Sequence, residues 1–174
     1  MKKIASVALL VMSVTTGVHA AADQGSGRVT FTGSIINAAC SISPESSDQE
    51  VNLGQIAMHE LEDAGTSTPR NFEIALENCS IDRGSEVSVT FGGASAVGSD
   101  NKLLGITGTA AGAGVAITDG SGQRLTLGQA SAGRELIDGN NTLNFSAYLE
   151  GLGDNDKLKS GDFYAVTDFT LAYE

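Results

Sequence analysis

The chain has 174 residues, with 10 lysine and arginine residues against 21 aspartate and glutamate residues, and a net charge of −11 at pH 7. Nucleic acids and anionic lipid headgroups are bound through basic side chains, so this composition excludes both as targets. The length fits one domain with one core and leaves no room for a second domain.

The first 20 residues indicate export. Two lysines precede an uncharged apolar and small-residue run over residues 4–18, and residues 18–20 read Val-His-Ala, a small-x-small cleavage pattern. The alternative, a membrane-spanning helix, needs about twenty apolar residues, and this run is shorter. We therefore predict a signal peptide over residues 1–20 and no membrane insertion of the mature chain.

The mature sequence predicts many short strands separated by glycine, asparagine, aspartate and serine. In chain order, strand signals occur at residues 28–32, 34–42, 50–56, 71–79, 86–91, 115–118, 123–127, 143–149 and 161–174. Residues 58–63 have some helical character but are too short to form an independent helix. Eight to ten strands without a long helix predict an all-β antiparallel sandwich, with an up-and-down barrel as the alternative architecture.

The two cysteines, Cys40 and Cys79, are an even number in an exported chain, which favours one disulfide. The competing interpretation is a metal site. A tetrahedral site needs four ligands, and two cysteines with the single mature histidine, His59, are too few. We therefore predict a disulfide and no metal or other cofactor.

Both ends of the mature chain carry distinctive motifs. Near the start, residues 27–33 read Gly-Arg-Val-Thr-Phe-Thr-Gly, and Asn37-Ala38-Ala39-Cys40 follows. At the other end, a glycine lies fourteenth from the last residue and a tyrosine is next to last. These motifs resemble the two ends of chaperone–usher pilus subunits of the type 1 and P pilus families, whose chaperones recognise the C-terminal motif. The segments Leu53-Gly54-Gln55 and Asn78-Cys79 also look like family features, so the resemblance covers the whole mature chain.

The resemblance implies an incomplete immunoglobulin-like antiparallel β-sandwich, over residues 33–174, that is completed by a donor strand from a neighbouring subunit. Such donor-strand exchange is a known form of β-augmentation. The resemblance implies that residues 21–32 form a donor-strand extension. The residues on the face that enters the neighbour's groove would be Gly25, Gly27, Val29 and Phe31. Gly27 would be the small residue that passes a narrow part of the groove. On the strand that borders the acceptor groove and meets the chaperone, the resemblance implies roles for Gly161, Phe169, Leu171, Tyr173 and Glu174.

The same resemblance implies the partners: a periplasmic chaperone, an outer-membrane usher and neighbouring pilin subunits. The chain would pass through the periplasm to a fimbrium on the cell surface and support adhesion there. Alternation alone leaves one different interpretation open, in which Val29 and Phe31 are buried in the subunit's own core. A minor pilin, acting as tip adaptor or terminator, and a sugar-binding adhesin module are the alternative functions.

Other chemistries find little support in the sequence. Nucleophilic catalysis requires a serine or cysteine beside a base, and the lone mature histidine has no partner pattern, so no enzyme activity is expected. His59 lies in a polar stretch and is predicted to be a surface residue. Asp154 and Asp156 could suggest calcium, but the spacing of an EF-hand does not follow them, which favours a solvated loop.

Overall fold

The computed structural model describes residues 26–82 and 84–174. The predicted signal peptide, the beginning of the predicted extension and Gly25 lie outside these residues. The chain divides into two units, one ending at Ile35 and the other spanning Ile36–Glu174. Each unit is described by itself.

The described part of the first unit, residues 26–35, contains neither helix nor strand. Val29 is 75% exposed, Phe31 is 90% exposed and Ile35 is fully exposed. The prediction of a half-buried strand over residues 28–32 is therefore wrong for the single chain. Alternation selects the side chains that suit a pleated strand, but a ladder also requires a neighbour to accept its main-chain hydrogen bonds.

The described residues of the second unit form ten strands. Their bounds are β1 Ser41–Ile42, β2 Arg70–Cys79, β3 Glu86–Phe91, β4 Leu104–Gly105, β5 Thr107–Gly108, β6 Ala113–Asp119, β7 Arg134–Glu135, β8 Gly139–Gly151, β9 Phe163–Tyr164 and β10 Phe169–Tyr173. All pairings are antiparallel, in a five-stranded sheet of order β1-β2-β8-β6-β4, a three-stranded sheet of order β10-β3-β7 and a small β5-β9 ladder.

The five- and three-stranded sheets pack face to face around one main core. Ile74, Leu76, Leu143 and Phe145 of the larger sheet meet Val87, Val89 and Phe91 of the smaller one. These residues alternate along their strands with more exposed ones, since successive side chains point to opposite faces. The arrangement is an antiparallel sandwich, so the predicted fold class is confirmed and the barrel alternative is not.

The helical pieces are short. One helical turn, α1, spans Pro44–Ser47 and begins at Ser43, whose hydroxyl accepts a hydrogen bond from the Ser46 amide. Within the described residues, 3₁₀ turns cover Met58–Glu60 and Glu62–Ala64, where weak helical character was predicted over residues 58–63, and also Asn155–Lys157, where it was not. Within the described ranges, no helix has the length and apolar character to cross a membrane.

Two strand predictions fail in the second unit. Residues 50–56 and 123–127 form no strand, and only Ser41–Ile42 of the segment 34–42 does. The predicted hairpin nevertheless exists, because the Asp119 amide donates to Gln123 O at 2.9 Å and the Leu125 amide donates to Ile117 O at 2.9 Å. The predicted disulfide is present and joins Cys40 to Cys79 across 39 positions of sequence.

Candidate functional site

A long groove opens on one side of the sandwich and encloses a volume of about 1190 Å³. Residues from both sheets line it. Its base consists of buried apolar side chains, namely Leu104, Val115, Ala147, Leu149 and Leu158, with the half-buried ring of Phe72 beside them. A cleft with an apolar base and two polar edges suits an occupant that buries one face and leaves the other in water.

Two extended segments form the edges of the groove, and the second contains the short strand β9. We call residues 48–56 the N-terminal lip and residues 162–168 the C-terminal lip. Side chains alternate along both: Val51, Leu53 and Ile56 are half-buried while Glu50 and Asn52 are exposed, and Phe163 and Ala165 are half-buried while Tyr164 and Val166 are exposed. Each lip therefore presents apolar side chains to the groove and polar or exposed ones to solvent.

In the described chain, the N-terminal lip and the middle of the C-terminal lip, residues 165–167, lack strand partners, whereas Phe163–Tyr164 pairs with β5. Among the described residues, no amide or carbonyl of residues 48–56 or 165–167 makes a main-chain to main-chain hydrogen bond. Such free groups along an extended edge provide a template for pairing with another strand. The groove thus combines an apolar base with unsatisfied hydrogen-bonding groups on both sides, which is the arrangement that a single inserted β-strand would complete.

Strand β10 continues the C-terminal lip and is an edge strand of the three-stranded sheet. It pairs with β3 in a register that places Phe169 opposite Phe91, Leu171 opposite Val89 and Tyr173 opposite Val87. The three β10 side chains are half-buried and pack against the main core, and Phe169 also lines the groove. Within the described chain the other edge of β10 has no strand beside it.

The hydroxyl of Tyr173 is buried and has no hydrogen-bond partner among the described residues. Burial raises the pKa of Tyr173 above its ordinary value, because the phenolate would lose hydration without gaining a compensating contact. A buried donor of this kind costs free energy until it finds an acceptor.

The other predicted residues at this end have local partners. Gly161 lines the groove and lies against Thr109 and Ala110. The last residue, Glu174, is held by a reciprocal pair of main-chain hydrogen bonds with Glu86, at 2.9 Å and 3.0 Å. The predicted residues at this end thus lie along one stretch of chain, which follows the groove and then the free edge of β10. They are Gly161, Phe169, Leu171, Tyr173 and Glu174.

The predicted donor residues belong to the first unit. Gly27 has open space around it, as nothing lies within 4 Å of a β-carbon built there. Val29 and Phe31 are both largely exposed in the described chain. Gly25 lies outside the described residues. An apolar pair exposed to this degree is a candidate for burial in a partner.

The remaining candidates from the sequence form no reactive centre. His59 is exposed, as predicted. The carboxylate of Asp154 pairs with Lys157 at 2.8 Å, and the Asn155 side-chain oxygen accepts a hydrogen bond from the Asp63 amide at 2.9 Å. Across residues 26–82 and 84–174, no group of three or more histidine, cysteine, aspartate or glutamate residues is placed to hold a metal ion.

Sequence reasoning missed the N-terminal lip as part of the site. Residues 50–56 carry the apolar spacing of a strand, which led to the prediction of a ladder there. The segment lies between α1 and the first 3₁₀ turn, and its apolar spacing alone does not show whether it has a strand partner. Residues 48–56 are recognised as an edge of the groove only in the folded structure, where they and the C-terminal lip line the same groove.

Comparison with known proteins agrees with this geometry. The sequence profile of the family described as Fimbrial protein matches residues 29–174. The chain is 51% identical to the Fimbria A protein of Serratia marcescens, over all of this chain and 99% of that protein. It is 46% identical to the Major MR/P fimbria protein of Proteus mirabilis strain HI4320, over the same shares of the two chains.

Solved structures lead to the same result. A subunit in the structure of a chaperone–usher pilus, solved to explain rod uncoiling, aligns with a TM-score of 0.76 and 30% identity over 87% of this chain and 97% of its own. The sandwich therefore shares the immunoglobulin-like fold of that subunit. The chain therefore belongs to the fimbrial protein family and is a structural subunit of a chaperone–usher fimbrium.

Proposed function

We propose that this chain is the polymerising rod subunit of its fimbrium, and that it assembles by donor-strand exchange. The groove accepts the N-terminal segment of one neighbour, while residues 21–32 enter the groove of the next. The single observation that carries this proposal is the groove itself, with its apolar base and unpaired main chain on both lips.

The exposed residues of the first unit supply the matching half. Val29 and Phe31 alternate with polar residues, so a strand formed by this segment would turn both towards the base of the groove. Burying each fully contributes about 1.5–3 kcal/mol, with main-chain hydrogen bonds adding register. Gly27 continues the same face without a side chain and suits a narrow part of the groove.

Because the donating and accepting surfaces differ, the contact does not close on itself and extends into a filament. An open groove is also an aggregation hazard before assembly. A periplasmic chaperone that fills the groove, and an usher that exchanges the chaperone for the next subunit, fit that need. The cell-surface filament would then support adhesion. The full-length similarity to a major fimbrial protein favours the rod subunit over a minor tip subunit.

The test is assembly of the mature chain with and without residues 21–32, read by SDS gels of unboiled samples and by electron microscopy. We expect heat-sensitive ladders and fibres from residues 21–174 and only monomers from residues 33–174. A matched full-length variant, Phe31→Asp, keeps the segment but places a charge in the groove, and should also stay monomeric. Equal polymerisation of all three chains would contradict the proposal.

A further inference from the structure

The two lips of the groove carry negative charge on their solvent side. Residues 44–69 and 160–174, which contain the lips, have no lysine or arginine. On the N-terminal lip Glu50 is exposed beside half-buried Val51, and on the C-terminal lip Asp162 and Asp168 are exposed beside half-buried residues. The carboxylates therefore lie on the outer side of lips whose apolar side chains face the groove.

Among the described residues these carboxylates form no ion pair, and the Arg70 guanidinium lies beside Gly54 of the N-terminal lip. The ion pairs of the described residues are Arg124–Glu150 and Lys157–Asp154, and Lys159 is the one basic residue among those lining the groove. An occupant with a positive side chain on its solvent-facing side would meet carboxylates that form no ion pair within the subunit.

The N-terminal segment of this same chain has that side chain. Arg28 is the only lysine or arginine between the predicted cleavage site and Arg70, and it is exposed. It directly precedes Val29, so a strand that turns Val29 and Phe31 into a groove turns Arg28 outwards, towards the solvent side of the lips. This orientation of Arg28 rests on the proposed function, in which residues 21–32 enter a neighbour's groove as a strand.

We propose that Arg28 is a specificity-determining residue for assembly, and that the lip carboxylates of a second copy of this chain recognise it. In this arrangement Val29 and Phe31 supply the burial, while Arg28 raises the rate at which the correct strand enters. A charge at the rim of an interface acts mainly on the association rate and its salt dependence. A strand with an acidic residue at this position is disfavoured, because it would face like charge across both edges.

The experiment follows the initial assembly rate of refolded mature chain, residues 21–174, as wild type, Arg28→Gln and Arg28→Glu. Rates are measured at about 20 mM and about 500 mM NaCl, since salt over this range shortens the screening length from about 20 Å to about 4 Å. At low salt we expect Arg28→Gln to assemble about two- to fivefold more slowly than wild type, with Arg28→Glu slower still. At high salt the three rates should converge.

Lys102→Gln is the matched control, because it removes one positive charge from an exposed position outside the groove, and its rate should equal that of wild type. Glu50→Lys combined with Asp162→Lys should slow the wild-type strand and restore assembly of the Arg28→Glu chain. Restoration supports the inference, since a general loss of stability cannot produce it. If the lip variants slow assembly but Arg28→Glu does not rescue them, the lips serve another cationic partner and the inference is overturned.

Phe31→Asp separates this inference from the proposed function. If Phe31→Asp blocks assembly while Arg28→Gln matches wild type at both salt concentrations, the donor strand stands and the role of Arg28 is overturned. If Phe31→Asp assembles at the wild-type rate, both the donor strand and the recognition of Arg28 are overturned.

Discussion

Gly161 lies directly against Thr109, and a β-carbon at position 161 would overlap the Thr109 hydroxyl and stand 2.7 Å from the Ala110 nitrogen. The contact brings the amides of Thr109 and Ala110 within 2.9 Å and 3.1 Å of the Asp162 carbonyl, to which both donate. Sequence resemblance assigned Gly161 to chaperone recognition. The structure adds a local reason for glycine, since the C-terminal lip begins at this close crossing of two main chains.

Gly161→Ala should destabilise the subunit by about 2–3 kcal/mol, because the added methyl group forces the two segments apart where main-chain hydrogen bonds hold them. Urea denaturation of the mature chain measures the effect. Gly128→Ala is the control: it has a positive φ of 77° but nothing within 4 Å of the added carbon, so it should cost only about 1 kcal/mol. If Gly161→Ala and Gly128→Ala lower the free energy of unfolding equally, the two main chains at Gly161 and Thr109 can move apart without cost, and the prediction is contradicted.

Tyr173→Phe should stabilise the subunit by about 1 kcal/mol at neutral pH, since it removes a buried hydroxyl that has no partner in the described residues. It should also change the response to alkali. Burial raises the pKa of Tyr173 above 10.0, so the folded state keeps its proton longer, and wild-type stability falls as the pH rises from about 10 through the raised folded-state value. The variant should lack this part of the loss.

Thermal unfolding between pH 8 and pH 11, near the ordinary tyrosine pKa of about 10, tests this prediction. Tyr164→Phe is the matched control, because Tyr164 is 64% exposed and its hydroxyl is free to bind water. A Tyr173→Phe chain whose alkaline decline matches that of wild type would contradict the prediction.

Replacing both cysteines by serine should lower the free energy of unfolding by about 4 kcal/mol, because the Cys40–Cys79 bond closes a loop with a sequence separation of 39 residues. Chemical denaturation of the double variant measures the loss. Wild-type protein under a strong reductant should unfold at the same denaturant concentration as the variant. A large gap between the two would assign part of the effect to the serines themselves.

Arg124→Met should cost about 1 kcal/mol, because Arg124 binds both carboxylate oxygens of Glu150 and donates to the Tyr148 hydroxyl at 2.9 Å. The Glu150 side chain is only 15% exposed, so its charge loses its partner in a poorly hydrated place, while the partial exposure of Arg124 keeps the loss modest. The exposed pair Lys157–Asp154 provides the contrast. Lys157→Met should leave the urea midpoint unchanged, and a loss as large as that of Arg124→Met would contradict this explanation.

The strands that the sequence predicted well are those with partners on both edges. Residues 86–91 form β3 with the predicted bounds, and the predicted segments 71–79 and 143–149 lie inside β2 and β8. In these strands alternation and pairing agree, because apolar residues such as Ile74 and Val87 are fully buried between the two sheets. The sandwich therefore follows from side-chain periodicity.

Periodicity failed at residues 28–32 and 50–56, which have the side chains of strands and no ladder. Alternation records which side chains suit a buried face, but it does not record whether a hydrogen-bonding neighbour belongs to the same chain. Contacts between distant segments, such as Gly161 against Thr109, could not be predicted either, because no local sequence pattern encodes them.

The position of the disulfide gives the folded subunit a defined path for mechanical load. Cys40 directly precedes β1, which has only two residues and pairs only with β2. Tension entering from residues 26–39 meets the hydrogen bond from the Ser80 amide to Ala39 O, then the covalent cross-link, and passes to Cys79 at the end of β2. β2 is paired with β8 over most of its length. The force therefore acts on many β2–β8 hydrogen bonds together, and it does not separate β1 from β2 one hydrogen bond at a time. The bond that restricts the unfolded chain is thus also a tensile anchor, and we expect its reduction to lower the rupture force in single-molecule pulling.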